Sequence, residues 1–523
     1  MSHSTEEFSK LRSYIWPVHT YELKKLVPML LIFFFISFNY NVLRTMKDSM
    51  IVTVAESGAG VIPFLKVWAM FPIAVALTAI FTHLSNRFDR ERVFYLMMGG
   101  FLSFFALFAF VLYPHKESIL LDDSLSWLSD SLPTGLIGLV DMIRLWPFTL
   151  FYAMAESWGA IVLFVLFWGF ANQITRLGEA KRFYALFGIG ANLAGIMAGK
   201  LSISLSQTSL NPNLPFGVDA WHQTLVLLIS MILLSGCATI ILFRWVHTNV
   251  LTDPRFYDPA TMDQTPVKDR QRMSLRDSIL YLMKNKYLLN IAVIVISYNV
   301  VINLVEVVWK DQLKQLYPDP IDYNIYMNKI TIAIGIASTF SALFISGNAI
   351  RRCGWTFTAL ITPMILLTTS VGFFAFLLFK DSLNSVSGFF WGTSPLAIVV
   401  FFGGLQNTLC RGAKYSVFDA TKELAFVPLS TDLKSQGKAA IDGVASRLGK
   451  CGGSVIHQGL LVFCSTLTVS APYVAVVLFV LVFMWIGATK SLGAQFSALT
   501  SGPQPLSQAS KKIGEADLAT AAN

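Results

Sequence analysis

Charged residues are scarce in this chain. Asp, Glu, Lys and Arg make up 14% of its 523 residues, whereas soluble globular proteins carry about 25%. Hydrophobic residues make up 54%, and the mean hydropathy is +0.59. A bilayer accounts for both values, because lipid accepts apolar side chains and does not hydrate charged ones. The composition therefore argues against a soluble globular protein and predicts a membrane protein.

Motifs of enzymes and of metal sites are also missing. The five cysteines are odd in number and form no CxxC pair, so we interpret them as small buried hydrophobic residues. The segment closest to the phosphate-binding loop of ATPases, Gly443–Cys451, has the wrong spacing and ends in Cys where Ser or Thr is required. The sequence shows neither a metal-ligand cluster nor a nucleophile elbow. We expect no cofactor, no ATP hydrolysis and no enzymatic activity.

Long apolar runs are what the chain does have, and each can cross a bilayer with roughly twenty residues. The N-terminus is polar up to Lys25, and no small-residue cleavage site follows the first run, so that run is expected to be retained. The predicted spans are 26–43, 62–84, 93–112, 148–173, 183–205, 224–246, 288–309, 330–350, 357–379, 396–410, 439–467 and 473–486. The pattern predicts an all-α polytopic membrane protein with about twelve transmembrane helices.

The runs fall into two groups of six, separated by a polar, basic segment. We therefore predict a cytoplasmic tail at 1–25, an N-terminal six-helix bundle at 26–247 and a cytoplasmic central loop at 248–286. A C-terminal six-helix bundle at 287–492 and a disordered cytoplasmic tail at 493–523 complete the prediction.

Basic residues predict the orientation, because cytoplasmic loops of membrane proteins are rich in Lys and Arg. With both termini in the cytoplasm, the basic residues collect on the cytoplasmic side at Arg87–Arg92, Arg176–Arg182, Lys268–Arg276, Arg351–Arg352 and Lys414–Lys438. The opposite loops are poor in Lys and Arg, and Asn211–Asp219 carries neither residue.

The two halves repeat each other in sequence. Ile36–Asn39 in the first run matches Ile296–Asn299 in the seventh, and a lysine–aspartate pair follows each: Lys47 with Asp48, and Lys310 with Asp311. Parallel six-helix repeats are typical of the major-facilitator architecture, in which substrates bind between the two halves near the bilayer midplane.

Ionisable residues inside the apolar runs are the candidate functional residues, because such groups are costly in lipid and usually face a cavity or a partner. Those at or within the runs are Lys47 and the preceding Arg44, Lys66, Glu156, Lys200, Glu306, Lys329, Arg411, Arg447, Lys450 and His457. Asn299 and Asn303 share a helix face with Glu306. The alternative interpretation is that Lys66, Lys200 and Lys329 extend to the membrane interface instead.

Cations outnumber carboxylates in this set, and the whole chain carries a net charge of +9. Basic cytoplasmic loops are the first explanation of that charge, and an anionic substrate is the second. Nucleic acid is not a predicted partner, because the basic residues are dispersed and form no run. A cavity with excess Lys and Arg suits a polyanion such as a phosphate ester.

Five segments resemble the bacterial and plastid ATP/ADP translocase family of nucleotide transporters, most closely its chlamydial-type members. They are Phe38–Arg44 with Lys47–Asp48, Ala155–Gly159, Asn303–Val307 with Trp309–Lys310, Lys414–Asp419 leading to Lys422–Glu423, and Lys438–Asp442. The resemblance covers essentially the whole helical region.

The resemblance implies exchange of external, host ATP for internal ADP across the inner membrane of an intracellular bacterium, with or without phosphate. It implies that Lys47, Glu156, Glu306 and Lys422 are critical for substrate binding. We add the hypothesis that Arg44, one helical turn before Lys47, also binds phosphates. Lys422 lies beyond the tenth apolar run, so either the tenth helix continues past Cys410 or Lys422 acts at a cytoplasmic gate. Lys414 and Lys438 are alternative candidates for the role of Lys422. Arg447 and Asn303 complete the set of predicted binding residues.

Three other functions are compatible with part of this pattern. A proton-coupled nucleotide importer would use Glu156 or Glu306 as its titrating carboxylate, and similar sequences are known to import or exchange other nucleotides. A membrane enzyme or receptor would need a catalytic constellation or a soluble domain, and neither is visible. A channel is disfavoured by the two-half pattern. The sequence does not indicate the oligomeric state, and membrane lipid is the other predicted partner.

Overall fold

A computed structural model describes residues 18–55, 57–121, 131–253, 285–379 and 394–501, together with 125, 127, 128, 256, 280, 282 and 283. Most of the predicted N-terminal tail, most of the central loop and the chain after 501 lie outside the described residues. Within them the regular structure is entirely helical.

Within the described residues, twelve long helices follow one another along the chain. They are α1 (Thr20–Val54), α2 (Ala59–Arg87), α3 (Arg90–Leu112), α4 (Trp146–Ile174), α5 (Leu177–Leu205), α6 (Ala220–Asn249), α7 (Lys286–Leu316), α8 (Pro320–Ile345), α9 (Ser346–Leu378), α10 (Pro395–Ala425), α11 (Ser446–Cys464) and α12 (Leu467–Ser501). All except α11 are long and apolar enough to cross a membrane by length and composition. A short helix, Ile137–Arg144, precedes α4.

Local sequence explains where several helices begin. The Asp319 carboxylate accepts hydrogen bonds from the backbone N–H groups of Ile321 and Asp322, at 2.8 and 3.2 Å, and Pro320 occupies the first position of α8. Asn285 caps α7 in the same way. These side chains satisfy N–H groups that a helix start leaves without an intrahelical partner.

Helix packing repeats between the halves. In the first half α1 packs against α4, α5 and α6, and α3 packs against α6; in the second half α7 packs against α10, α11 and α12, and α9 packs against α12. Side chains at helix surfaces such as Leu234 and Phe463 are apolar and largely exposed, as lipid-facing positions are. The predicted major-facilitator-like arrangement of two six-helix bundles is confirmed.

The two halves meet most extensively where α5 packs against α8. A Cβ atom on Gly199 would come within 2.9 Å of the Asn328 carbonyl, and one on Gly335 within 2.9 Å of the Asn192 carbonyl. The absence of a side chain at both glycines therefore lets the two backbones approach closely.

One end of the molecule is closed by contacts between the halves. We define the closed end as the end at which α1 reaches Val54 and α7 reaches Leu316, and the open end as the opposite one. Near the closed end Ser49 bonds to Asn324 at 3.3 Å, and Gln458 donates to the Pro63 carbonyl at 2.9 Å. Towards the open end, the segments Met70–Arg87 of α2 and Ser341–Ile345 of α8 contain no buried residue.

Several helices extend beyond the predicted runs. The prediction that α10 ends near Cys410, with Lys414 and Lys422 in a loop, is wrong, because the helix continues to Ala425. Polar side chains such as Asn407, Ser416 and Thr421 lower the hydropathy of this stretch, yet all three are buried against neighbouring helices and not exposed to lipid. The last helix continues to Ser501, beyond the predicted boundary at 492.

Candidate functional site

A buried carboxylate joins the two halves. Asp48 of α1 accepts from the Lys47 ammonium at 2.9 Å and from the Lys310 ammonium of α7 at 2.8 Å. The Asp48 side chain is 1% exposed, and the two lysine side chains are 5% and 2% exposed. This bridge lies next to the closed end, so that end is held by an ion pair between the first helix of each half.

Lys47 is fully engaged by its surroundings. Besides Asp48, its ammonium pairs with Glu156 of α4 at 3.2 Å and lies 4.0 Å from the centre of the Tyr152 ring. Such a cation–π contact adds to the stabilisation of a desolvated ammonium group. Asp48, Glu156 and the Tyr152 ring therefore compensate the buried Lys47 ammonium.

A second carboxylate holds the cations of the C-terminal half. Glu306 of α7 pairs at 3.1 Å with Lys310, one helical turn further along, and at 3.1 Å with Arg411 of α10. Together with the Asp48 bridge, these pairs form one continuous ion network, from Glu156 through Lys47, Asp48, Lys310 and Glu306 to Arg411.

Two further cations adjoin the network. Arg44 and Lys66 both interact electrostatically with Glu306. The Lys66 ammonium donates to the Asn303 side-chain oxygen at 2.8 Å across the interface between the halves, and the Asn303 amide in turn donates to Ser454 at 3.0 Å. The network and these two residues hold five cations (Arg44, Lys47, Lys66, Lys310 and Arg411) against three carboxylates (Asp48, Glu156 and Glu306).

The network borders a cavity between the halves. The Glu156 side chain is 41% exposed, and Lys450 of α11, which interacts with it electrostatically from the other half, is exposed as well. An exposed charge this deep in a helix bundle faces water and not lipid, because lipid does not hydrate it. The cavity therefore has a positive wall that can hold an anion of several charges.

Lys422 and Lys438 lie away from this network. Lys422, near the open end of α10, pairs with Asp442 at 2.8 Å, and Lys438 pairs with Glu423 at 2.6 Å. Lys422 is 15% exposed, whereas Lys438 and Glu423 are both more than two-fifths exposed. Both lysines therefore lie at the open end of the C-terminal half, apart from the Lys47 cluster.

We expect Lys422 and Lys438 at the open end to differ in their effect on transport. Lys438→Gln removes only an exposed ion pair, so the transport rate should change less than about twofold. Lys422→Gln leaves Asp442 without its ion-pair partner and lowers the positive potential at the open end. The KM for the nucleotide should therefore rise about threefold to tenfold. Initial rates against substrate concentration measure both. A larger effect for Lys438 than for Lys422 would contradict this assignment.

Part of this cluster was predicted from the sequence, and part was not. The structure brings together Lys47, Glu156 and Glu306, with Arg44 and Asn303 beside them, while Lys414 and the exposed Arg447 interact electrostatically with Lys450 instead. Asp48 and Lys310 were not selected. The internal repeat contained a signal for these two residues, because Lys47–Asp48 in the first half corresponds in sequence to Lys310–Asp311 in the second half.

Two six-helix halves around a cationic cavity define a multi-pass membrane transporter. The sequence model of the TLC ATP/ADP transporter family matches residues 1–496. The chain is 44% identical to "ADP,ATP carrier protein 1" of Chlamydia muridarum, over 95% of this chain and 93% of that one. It is 39% identical to "ADP,ATP carrier protein 1, chloroplastic" of Arabidopsis thaliana, over 93% and 76%. The chain belongs to the TLC ATP/ADP transporter family.

Solved structures of other transporters share the fold at low sequence identity. A D-xylose–proton symporter superposes with a TM-score of 0.52 at 12% identity, covering 90% of this chain and 97% of that one. A bacterial homologue of the iron transporter ferroportin superposes with a TM-score of 0.50 at 14% identity, covering 92% and 100%. These likenesses concern the fold alone.

Proposed function

We propose that this chain exchanges external ATP for internal ADP across a bacterial inner membrane, by alternating access of one cavity to the two sides. The observation that carries the proposal is the cavity network of five cations and three carboxylates, in a chain of this family. The excess cations match the phosphates of a nucleotide, and the carboxylates occupy those cations when no nucleotide is bound.

The ion network gives a physical reason for exchange. Glu156 and Glu306 pair with Lys47, Lys310 and Arg411, so the phosphates of a bound nucleotide compete with these carboxylates for the same cations. A change in these pairs also changes the Lys310–Asp48 bridge that holds the closed end. Occupied and empty carriers then differ in how firmly the two halves are joined, and substrate binding favours reorientation.

The proposed orientation places both termini and the open end in the cytoplasm. The described basic loops Arg87–Arg92 and Arg176–Arg182 lie at the open end, in agreement with the rule that cytoplasmic loops are rich in Lys and Arg. In this state ADP enters from the cytoplasm, and ATP enters once the closed end opens outward. The energy comes from the two nucleotide gradients, so no hydrolysis is needed.

Uptake of labelled ATP into liposomes tests the proposal. We expect uptake into vesicles preloaded with ADP, little uptake into empty vesicles and no effect of a protonophore, because an exchanger returns only when loaded. Uptake into empty vesicles that the protonophore stops would contradict exchange, and would identify a proton-coupled importer with Glu156 or Glu306 as the proton site. Release of labelled phosphate from vesicles loaded with ADP and phosphate shows whether phosphate accompanies ADP.

A further inference from the structure

A short segment of the N-terminal half reaches across to the C-terminal half at the closed end. Residues 134–144, which we call the strap, form a 3₁₀ helix, Thr134–Leu136, followed by the helix Ile137–Arg144. The strap lies in the connection between α3 and α4 and is too short to cross a bilayer. Gly135 and Val140 are buried, so the strap packs on the rest of the protein.

Contacts within the N-terminal half anchor the strap. The Thr149 hydroxyl of α4 donates a hydrogen bond to the Met142 carbonyl of the strap at 2.7 Å. The strap also packs on the start of α2, where a Cβ atom on Gly138 would come within 2.5 Å of the Phe64 ring. Because these contacts are all with its own half, the strap moves as part of that half.

The beginning of the strap touches α11, which belongs to the C-terminal half. A Cβ atom on Gly135 would overlap the Leu461 carbonyl and would come within 2.8 Å of the Val462 Cα atom. The absence of a side chain at Gly135 therefore lets two backbones from opposite halves meet. Leu461 and Val462 share a helix face with Gln458, which donates to the Pro63 carbonyl of α2 at 2.9 Å. One face of α11 thus holds both α2 and the strap.

This contact is made with the last turn of α11. The helix ends at Cys464, and the next residue, Ser465, has a φ of 63°, in the left-handed region that residues other than glycine adopt only uncommonly. The Ser465 N–H donates to the Leu461 carbonyl at 2.8 Å, and this is the carbonyl that faces Gly135. The strap therefore covers the point at which the chain turns from α11 towards α12.

We propose that the strap is a gate of the closed end, which holds the last turn of α11 while the cavity is open at the other end and releases it when the closed end opens. This inference rests on the proposed alternating access and deepens it. Gly135 and Leu461 belong to opposite halves, so the halves separate at this end only when their backbones part.

The strap and the ion network then have different parts in the cycle. The Asp48–Lys310 bridge is made of charges, so a bound nucleotide changes it by competing for the cations. The contact between Gly135 and Leu461 is made of uncharged backbone atoms. The strap therefore adds to the stability of the closed end whether or not nucleotide is bound, and the ion network makes opening depend on the substrate.

Thiol labelling of the full-length protein measures opening of the closed end. In a background without the native cysteines, Ser49→Cys places a reporter at a fully buried position between the halves. Gly135→Ala adds one methyl group against the Leu461 carbonyl, which is part of a helix and has little room to shift. We expect a polar thiol reagent to label the reporter at least about fivefold faster in Gly135→Ala, because overpacking this contact favours separation of the halves.

Gly60 supplies the matched control. It lies in the first turn of α2, and among the described residues a Cβ atom there would have no neighbour within 4 Å beyond the adjoining backbone. Gly60→Ala should therefore leave the labelling rate of the Ser49→Cys reporter within about twofold of the parent rate. Labelling of Gly135→Ala at the parent rate would overturn the inference, and so would an equal increase in both variants.

A cross-link between the strap and α11 tests the inference without changing Gly135, and it decides the outcome if Gly135→Ala does not fold. Thr134 adjoins Gly135, so the Cα atoms of Thr134 and Val462 lie within about 8 Å of each other. Both side chains are exposed. In Thr134→Cys/Val462→Cys, a short cleavable bifunctional thiol reagent should stop nucleotide exchange, and cleavage should restore it.

Each single-cysteine variant, treated with the same reagent, is the control for the cross-link and should keep the parent exchange rate. Undiminished exchange in fully cross-linked protein would overturn the inference. A parent protein that exchanges no nucleotide would refute the proposed function instead, and the labelling of Ser49→Cys would still test the strap, because it requires no transport.

Discussion

Asp48→Asn should lower the rate of exchange at least about 100-fold. Asp48 is the carboxylate that bridges Lys47 and Lys310 between the halves, and it is almost completely buried. Removing one partner from a buried ion network costs about 3–5 kcal/mol, because the remaining charges are left uncompensated. The closed end should therefore be destabilised. Exchange rates in liposomes, with thermal unfolding of the same preparation, measure the two consequences.

The sequence repeat offers a matched control for Asp48. Asp311 follows Lys310 as Asp48 follows Lys47, but it accepts hydrogen bonds from Gln315 at 3.1 Å and Thr468 at 3.4 Å and makes no ion pair among the described residues. Asp311→Asn should retain most of the exchange rate. The double variant Asp48→Asn/Lys310→Met should recover part of the stability lost in Asp48→Asn, because it removes one uncompensated cation. Equal exchange rates for Asp48→Asn and Asp311→Asn would show that the ion bridge through Asp48 is not needed for exchange.

Glu306→Gln should separate binding from transport. The substitution keeps the shape of the side chain but removes the charge that pairs with Lys310 and Arg411 at 3.1 Å each. With one negative charge fewer in the cavity, ADP should bind several-fold more tightly at low salt. Exchange should fall at least about 50-fold, because the empty carrier can no longer neutralise its buried cations. Equilibrium binding and exchange rates are measured on the same preparation.

Glu156→Gln serves as the comparison for Glu306. Its single described ion pair, with Lys47 at 3.2 Å, is more accessible to water, since the Glu156 side chain is 41% exposed and that of Glu306 is 13% exposed. The loss of exchange should therefore be smaller than in Glu306→Gln. Weaker ADP binding in Glu306→Gln would show that this carboxylate contacts the substrate directly and does not act as its competitor.

Much of the fold was predictable because a helix that crosses a bilayer needs roughly twenty mostly apolar residues in a row. Spans such as α2 and α6 are predominantly apolar, and their positions follow from hydropathy alone. The extension of α10 past Cys410 was not predictable in this way. Its polar residues are hidden by neighbouring helices, and hydropathy does not distinguish a polar residue buried in protein from one in a loop.

The candidate site was predictable in its members but not in their pairing. Charges inside apolar runs identified Lys47, Glu156 and Glu306, because lipid excludes unpaired charges. Asp48 is adjacent to Lys47 in sequence, yet its partner Lys310 is 262 residues away. Only the packing of α1 against the other half shows that a single carboxylate serves both lysines.

The central claim is that the closed end must open for exchange to occur, and a reversible cross-link across that end tests it most directly. Ser49 and Asn324 come from opposite halves, with their side-chain oxygens 3.3 Å apart. In a background without the native cysteines, Ser49→Cys/Asn324→Cys is joined by oxidation or by a short bifunctional thiol reagent, and each single-cysteine variant is the control. We predict that the cross-linked protein still binds ADP from the open end, that its exchange stops, and that reduction of an oxidised sample restores exchange. Exchange at an undiminished rate in fully cross-linked protein would contradict the account.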